Sequence, residues 1–307
     1  MLQRTLNKSF TLDGKGLHTG LDLNITFNPA PENEGYKIRR IDIPGKPIIE
    51  ALAENVSGTQ RGTVLSGKDF SISTIEHAIA ALYACNIDNC LIDINGPEFP
   101  ILDGSSIHYI RKIKEIGIHN QLEKRRYISF KRKRIFVKDT ATGASMLLLP
   151  NEKLTVSADI YFDSPLLNHQ SAVLDDLNDF CKEIAPARTF VFVKEIKELL
   201  ENNLIKGGDL DNAIVIYDTP LSQEDFDKLA NLMNIEKRSA KTIGYIMNRP
   251  LRYENEPARH KILDILGDLA LCGGFVKGKI IARCPGHKIN TLLAKKIREY
   301  SLKQNQL

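Results

Sequence analysis

The stretch RHKILDILGDL, residues 259–269, sets His260, Lys261, Asp264 and Asp268 among residues that are mostly apolar. Pro257 suits the first turn of a helix, where its missing N–H costs nothing, and Gly273-Gly274 suits an end. The spacing therefore predicts a helix reaching about Leu271. Ile262, Leu263, Leu266 and Leu269 would hold it to a core. His260 and Asp264, four apart, stand one above the other on one face, and Asp268 follows a turn later. Packing alone has no use for them. Imidazole and carboxylate at this spacing supply two of the three protein ligands that a catalytic zinc needs; a surface helix also carries such a pair as ordinary solvated residues.

The second informative stretch is STIEHAIAALYA, which reads as a helix from about Thr74 to Ala84. Ser73 and Glu76 have the spacing of a capping box, in which Glu76 reaches back to the cap N–H and His77 is incidental. Alternatively His77 is a third metal ligand and Glu76 takes the proton of a water activated beside it. Both readings stand on the sequence.

Around these helices the chain reads as α+β in both halves. Leu21–Phe27 alternates as a half-buried strand does, Cys90–Ile94 is a further strand, and SSIHYIRKIKEIG reads as a helix after a serine cap that stops at Gly117. RIFVKD, ASMLLLP and LTVSADIYF read as successive strands. A helical pattern from Lys194 to Leu200, a Gly207-Gly208 turn and a strand at Ala213–Tyr217 form a small βαβ excursion with an apolar face. EDFDKLANLM and NTLLAKKIREYSL read as helices. The 307 residues suffice for two domains, at about 150 residues each. We divide them into 1–125 and 126–307, with the excursion at about 190–217, and the two halves show no repeat in sequence.

Net charge is only +4. Much of the excess lies in KRRYISFKRKR (124–134), which reads as a basic linker into an edge strand with a charged outer side; phosphate binding is the competing use of such a cluster. No apolar run is long enough to span a bilayer, no leader is evident at MLQRTLNKSFTLDG, and five cysteines without a CxxC pair suit a reducing compartment, so a cytoplasmic location is expected. Thr189 in PARTF and His287 in CPGHKIN lie at turns, where reacting groups concentrate; Thr189 either caps or faces a cavity, and His287 also reads as an ordinary solvent-exposed histidine.

Six ordered motifs, GKGLHTG, STIEH, GPEFPILDGSS, LDNAIVI, LRYENEPARHKILDILGDL and GHKIN, spread over most of the chain. In this set the sequence resembles the zinc-dependent UDP-3-O-acyl-N-acetylglucosamine deacetylases of lipid A biosynthesis. The resemblance implies hydrolysis of the substrate's acetamide with release of acetate, and a Zn2+ cofactor held by His77, His260 and Asp264. It implies Glu76 as general base, His287 as general acid or electrostatic stabiliser oriented by Asp268, and Thr189 as oxyanion donor. Lys261 would contact the nucleotide or sugar. The excursion, with Phe190, Leu200, Ile205 and Gly208, would form the passage for the acyl chain.

The fold it implies is two similarly folded α/β-sandwich domains, sheets facing each other and helices outside, with the active site at their junction. The partners it implies are the sugar nucleotide and a transient inner-membrane contact, with no nucleic acid and a monomeric state. Two departures stand out: Ser164 where many members have histidine, and Gln60-Arg61-Gly62 where members often have apolar or thiol side chains. Some members are fused to a C-terminal dehydratase domain; this sequence ends at Leu307 in the polar run SLKQNQL. The rival readings are a zinc amidohydrolase of another small polar substrate and a basic nucleic-acid-binding protein.

Overall fold

A computed structural model describes residues 1–196, 205–232, 237 and 239–304. Leu200, expected in the acyl passage, lies outside the described residues, as do Leu199 and Leu204 of the same pattern.

Two five-stranded sheets dominate. The first has the order Phe10–Lys15, Asp22–Pro29, Cys90–Ile94, Tyr36–Arg40, Ile48–Glu50. The second has the order Ile135–Lys138, Ser145–Leu149, Lys279–Arg283, Thr155–Tyr161, His169–Leu174. Across each sheet in that order the pairings run antiparallel, antiparallel, parallel, antiparallel. The halves are therefore topological copies, although no repeat is visible in their residues. As expected, the basic stretch leads into an edge strand, Ile135–Lys138, but the outer face of that strand carries exposed Phe136 beside Lys138 and is not wholly charged.

The expected pair of sandwiches is present, but the order of layers is reversed. The Glu76–Ala84 and Glu256–Ala270 helices pack against each other, and the latter also lies on Thr155–Tyr161 and His169–Leu174. His287–Gln304 packs beneath Ile135–Lys138 and Ser145–Leu149. Helices thus form the middle of the molecule and sheets the outside. The physical reason is in the side chains. All nine residues of Glu76–Ala84 are buried, and a helix apolar all round belongs inside. Each sheet buries only alternate residues, so each has one face for the core and one for solvent.

The two central helices meet backbone to backbone. A Cβ on Gly267 would overlap the carbonyl oxygen of Glu76 and lie 2.9 Å from its carbonyl carbon and from its Cα. A glycine inside a helix costs about 1 kcal/mol against alanine; here it permits an approach that any side chain would prevent.

A smaller sheet, Phe190–Phe192, Ile214–Tyr217 and Gly244–Ile246, carries the excursion. Its first two strands pair in parallel, as a βαβ unit requires. Ile196 is buried there with Val193, Leu210, Val215, Tyr217 and Phe226, and Ile205 packs at the edge of that cluster.

Gly267→Ala should lower stability by at least the ~1–3 kcal/mol of an overpacked core, because rigid backbone faces the new methyl. Urea denaturation checks this. Stability equal to that of the unmodified protein would mean the helices can separate freely.

Candidate metal centre

Each central helix contributes part of one buried cluster. His77 comes from the start of Glu76–Ala84, and His260 and Asp264 from successive turns of Glu256–Ala270. One ligand atom from each of the three lies within 4.8 Å of the others, and all three residues are buried. The His77 and His260 rings meet edge to face with centroids 5.0 Å apart.

The hydrogen bonding tests whether a cation fits. His260 Nδ1 lies 3.0 Å from the Ala187 carbonyl oxygen, which only accepts, so Nδ1 carries the proton. Nε2 is therefore the ring nitrogen left for a ligand, and it faces Asp264 Oδ1 at 3.3 Å. Among the described residues Oδ1 has no hydrogen-bond partner, as an oxygen that faces a cation would. Burial holds the His77 imidazole neutral, and the nearby His260 and His287 add to this, pushing its pKa down to about 3. Burial opposes charge on Asp264, but Lys261, His260 and His287 outweigh it and keep the carboxyl well below the usual range. Two imidazoles and a carboxylate, all buried, form a donor set suited to Zn2+.

Glu76 does not cap its helix. The capping-box reading fails because Ser73 Oγ donates to the Pro97 carbonyl at 3.4 Å and the cap position, Ile75, makes no side-chain bond. Instead Glu76 Oε2 accepts the Thr63 N–H at 3.1 Å, and Oε1 lies 3.9 Å from His287 Nε2. Burial pushes the Glu76 carboxyl up to about 7; His287 pulls it down, while Asp268 and Asp264 push it up further. Of the two serines that open the next helix, Ser105 Oγ accepts the Ile107 N–H at 3.3 Å as the expected serine cap, and Ser106 Oγ donates to the His77 carbonyl at 2.7 Å, tying that helix to the cluster.

His287 opens the His287–Gln304 helix and points inward, with only 12% of its side chain exposed. Its Nδ1 is 2.9 Å from Asp268 Oδ2. Asp268 also accepts from Asn290 Nδ2 at 3.0 Å and, on its other oxygen, from the Thr63 hydroxyl. Burial works against a charged ring, but Asp268, Glu76 and Asp264 together outweigh it and raise the His287 pKa to about 10.

Of the other expected site residues, Lys261 contacts this cluster directly. Thr189 lies between the halves, its N–H donating to the Gly104 carbonyl and its own carbonyl accepting from Ile214, both at 2.8 Å. Lys261 Nζ donates to Asp264 Oδ2 at 2.9 Å and sits 5.2 Å from the centre of the Phe190 ring. The turn holding Ile205 and Gly208 is pinned to the GKGLHTG loop, with Gly207 N–H donating to the Leu17 carbonyl at 3.0 Å. Ser164, one of the departures, accepts the Leu166 and Leu167 N–H groups at 3.3 Å and so shapes a turn. Arg61 reaches Glu195 Oε2 at 2.9 Å, joining the loop that holds Thr63 to the excursion.

Several positions escaped the sequence reading. Arg188 and Glu256 form a buried ion pair, 1% and 0% exposed in their side chains, with Arg188 N–H and Nε each 2.9 Å from Glu256 Oε1. This locks the segment holding Ala187 and Thr189 onto the start of the metal helix. Thr63 touches both Glu76 and Asp268, yet a lone threonine in a loop carries no motif. Gly267 could have been noticed as a glycine inside a helical pattern. The motifs GKGLHTG and GPEFPILDG meet at buried Glu98, which accepts the His18 and Thr19 N–H groups at 2.9 Å.

Zinc titrated into metal-free protein should raise Tm, since a ligand at a thousand times its Kd stabilises by about 4.1 kcal/mol. His260→Ala and Asp264→Ala should lose that rise; a full rise in either variant would remove the residue from the metal's ligands.

The UDP-3-O-acyl N-acetylglycosamine deacetylase family matches residues 3–231 and 238–299. The chain is 55% identical over 304 residues to the bifunctional enzyme LpxC/FabZ of Porphyromonas gingivalis, covering 99% of the chain and 65% of that relative. It is 53% identical over 297 residues to the enzyme of the same name from Bacteroides thetaiotaomicron, covering 97% and 64%. It is 38% identical over 296 residues to the UDP-3-O-acyl-N-acetylglucosamine deacetylase of Syntrophotalea carbinolica, covering 96% and 87%. The chain thus spans somewhat less than two thirds of the length of the bifunctional relatives. Similarity along almost every described element, including both helices of the metal cluster, decides the relationship: the chain belongs to the UDP-3-O-acyl N-acetylglycosamine deacetylase family.

Proposed function

We propose that this protein hydrolyses the acetamide of UDP-3-O-acyl-N-acetylglucosamine, releasing acetate and the free amine, as a step of lipid A synthesis. The observation that carries the reading is the opposed pair Glu76 and His287, 3.9 Å apart beside the His77, His260 and Asp264 cluster. A family relationship alone could persist in an inactive relative; a buried base facing a buried cationic acid at a metal cluster is a working arrangement.

A zinc ion held by the three ligands supplies Lewis acidity, acidifying water and polarising a carbonyl oxygen. Glu76 accepts the proton of the water that adds to the acetamide carbon. Its anchor on the Thr63 N–H leaves Oε1 directed to the site. His287 donates Nδ1–H to Asp268, and the surrounding carboxylates favour the imidazolium form, whose second proton sits on Nε2; that proton passes to the nitrogen as the C–N bond breaks. Thr189, fixed through its backbone to Gly104 and Ile214, supplies its hydroxyl to the developing oxyanion in this reading. Lys261, against Phe190, is placed to meet an anionic part of the substrate. Ile205 and Gly208, in the turn pinned to residues 16–20, offer one wall for the acyl chain, and the polar Arg61 lies on the neighbouring loop. The division at 1–125 and 126–307 agrees with this reading, since each side contributes one half of the Glu76–His287 pair. A transient inner-membrane contact, a monomeric state and a cytoplasmic location belong to the same proposal; among the described residues no helix is long and apolar enough to cross a membrane.

Glu76→Gln should reduce kcat/KM by at least ~10²-fold, the low end for loss of a general base, while zinc stays bound. Acetate release and metal content measured on one sample decide it, and a wild-type rate would reject the role.

Activity requires Glu76 ionised and His287 protonated. The kcat/KM profile should rise as Glu76 loses its proton, near or below the value of about 7, and fall as His287 loses its own, near or below about 10. A divalent cation at the triad moves both limbs to lower pH, and the apparent values belong to the coupled pair. His287→Ala should abolish the alkaline limb, and Asp268→Asn should shift it downward; an unchanged alkaline limb in His287→Ala would exclude His287 as the acid.

Each methylene removed from the acyl chain should lower kcat/KM by about 0.8 kcal/mol, the value of a buried CH₂. Ile205→Asp should weaken that dependence. A substrate without its acyl group that reacts equally well would point to a different small amide.

A further inference from the structure

The two sheets share a topology but differ on their outer faces. On the first, one row across all five strands reads Thr11, Thr26, Asp93, Arg39, Ile48. Its polar groups satisfy one another: the two threonine hydroxyls are 2.9 Å apart, and Arg39 Nη2 is 2.8 Å from Asp93 Oδ2. Lys15 pairs with Asp22 on the same face at 2.7 Å. On the second sheet the register aligns Phe136, Leu147, Ile281, Ser157 and Val173 in one row. Phe136 is 62% exposed, Val173 54% and Ile281 36%. The same architecture with a polar face in one half shows that the apolar row is not demanded by the fold, and an exposed apolar strip of this kind marks a contact surface.

The charges beside the row name the partner. Lys138, Arg283 and Lys279 stand exposed in the rows on either side, while Asp159 is the single carboxylate among the outward residues of these strands. The exposed cations Lys131, Arg132 and Arg134 lead into the edge strand that carries Phe136. A second copy docked through this face by a twofold axis would set like charges against each other. Nucleic acid would meet the cations and leave the apolar row unused. A face with apolar side chains between cations suits an interface that has both hydrocarbon and negative charge.

We propose that the outer face of the second sheet is a docking surface for an anionic phospholipid bilayer, with the Phe136–Val173 row entering the headgroup boundary and the flanking cations on the headgroups. The metal helix lies beneath the opposite side of this sheet. The surface is therefore separate from the mouth of the candidate site, and the inference is independent of the reaction proposed above.

The test is flotation of the zinc-loaded full chain with phosphatidylcholine vesicles, with and without phosphatidylglycerol. Binding should require phosphatidylglycerol and weaken with salt. Lys138→Gln/Lys279→Gln/Arg283→Gln should weaken it by roughly fivefold for each charge removed. Phe136→Thr/Ile281→Thr/Val173→Thr keeps strand-forming residues on solvent-facing positions and should weaken binding by at least about tenfold, with an unchanged circular dichroism spectrum and Tm. If that variant fails to fold, the charge variant still decides. No binding to phosphatidylglycerol vesicles, equal binding to neutral vesicles, or wild-type binding by the variants would overturn the proposal. So would a concentration-dependent dimer in sedimentation that the threonine variant abolishes, which would assign the row to a second copy.

Discussion

The contact between Gly267 and the backbone of Glu76 is the constraint on which the rest of this molecule depends. Two helices from different halves of the chain approach until only a hydrogen fits between them. That distance brings His77 within reach of His260 and Asp264, and Glu76 within reach of His287. Neither helix holds a complete site. The centre exists only at their crossing, so the packing of small and apolar residues sets the chemistry.

The layer order follows from the same contact. A site built between two helices must have those helices inside, where burial excludes water and strengthens each electrostatic interaction. The sheets then close the outside. Burial has a cost that the site meets with partners: Asp268 accepts from His287, Asn290 and Thr63, and Glu256 is saturated by Arg188 and by the Arg252 N–H at 2.7 Å. Removing one partner of a buried pair such as Arg188–Glu256 leaves a charge uncompensated, typically at 3–5 kcal/mol. These pairs therefore fix geometry more than they add stability. The Arg188 pair holds Ala187, whose carbonyl in turn sets the tautomer of His260.

Duplication of the sheet topology is invisible in the residues because a sheet constrains only alternation and approximate volume. Ile25 and Phe27 in one half and Ala158 and Ile160 in the other satisfy the same inward requirement without resembling one another. Outer faces are freer still, so one became a set of paired polar groups and the other an apolar row with cations beside it.

What the sequence determined by itself was local. Periodicity placed the strands at Cys90–Ile94 and Thr155–Tyr161 and both central helices to within a few residues, because side-chain alternation is written along the chain. The i, i+4 pair His260 and Asp264 was legible for the same reason. The ordered motifs added His77, Glu76 and His287 by resemblance. Only the tertiary structure decided whether Glu76 caps its helix or faces His287, since Ser73 and Glu76 have the right spacing for either. It alone revealed Thr63 at 205 residues from Asp268, the Arg188–Glu256 pair, and helices inside rather than outside. Each of these is a contact between segments distant in the chain, where the deciding quantity is a through-space distance that no spacing in the sequence encodes.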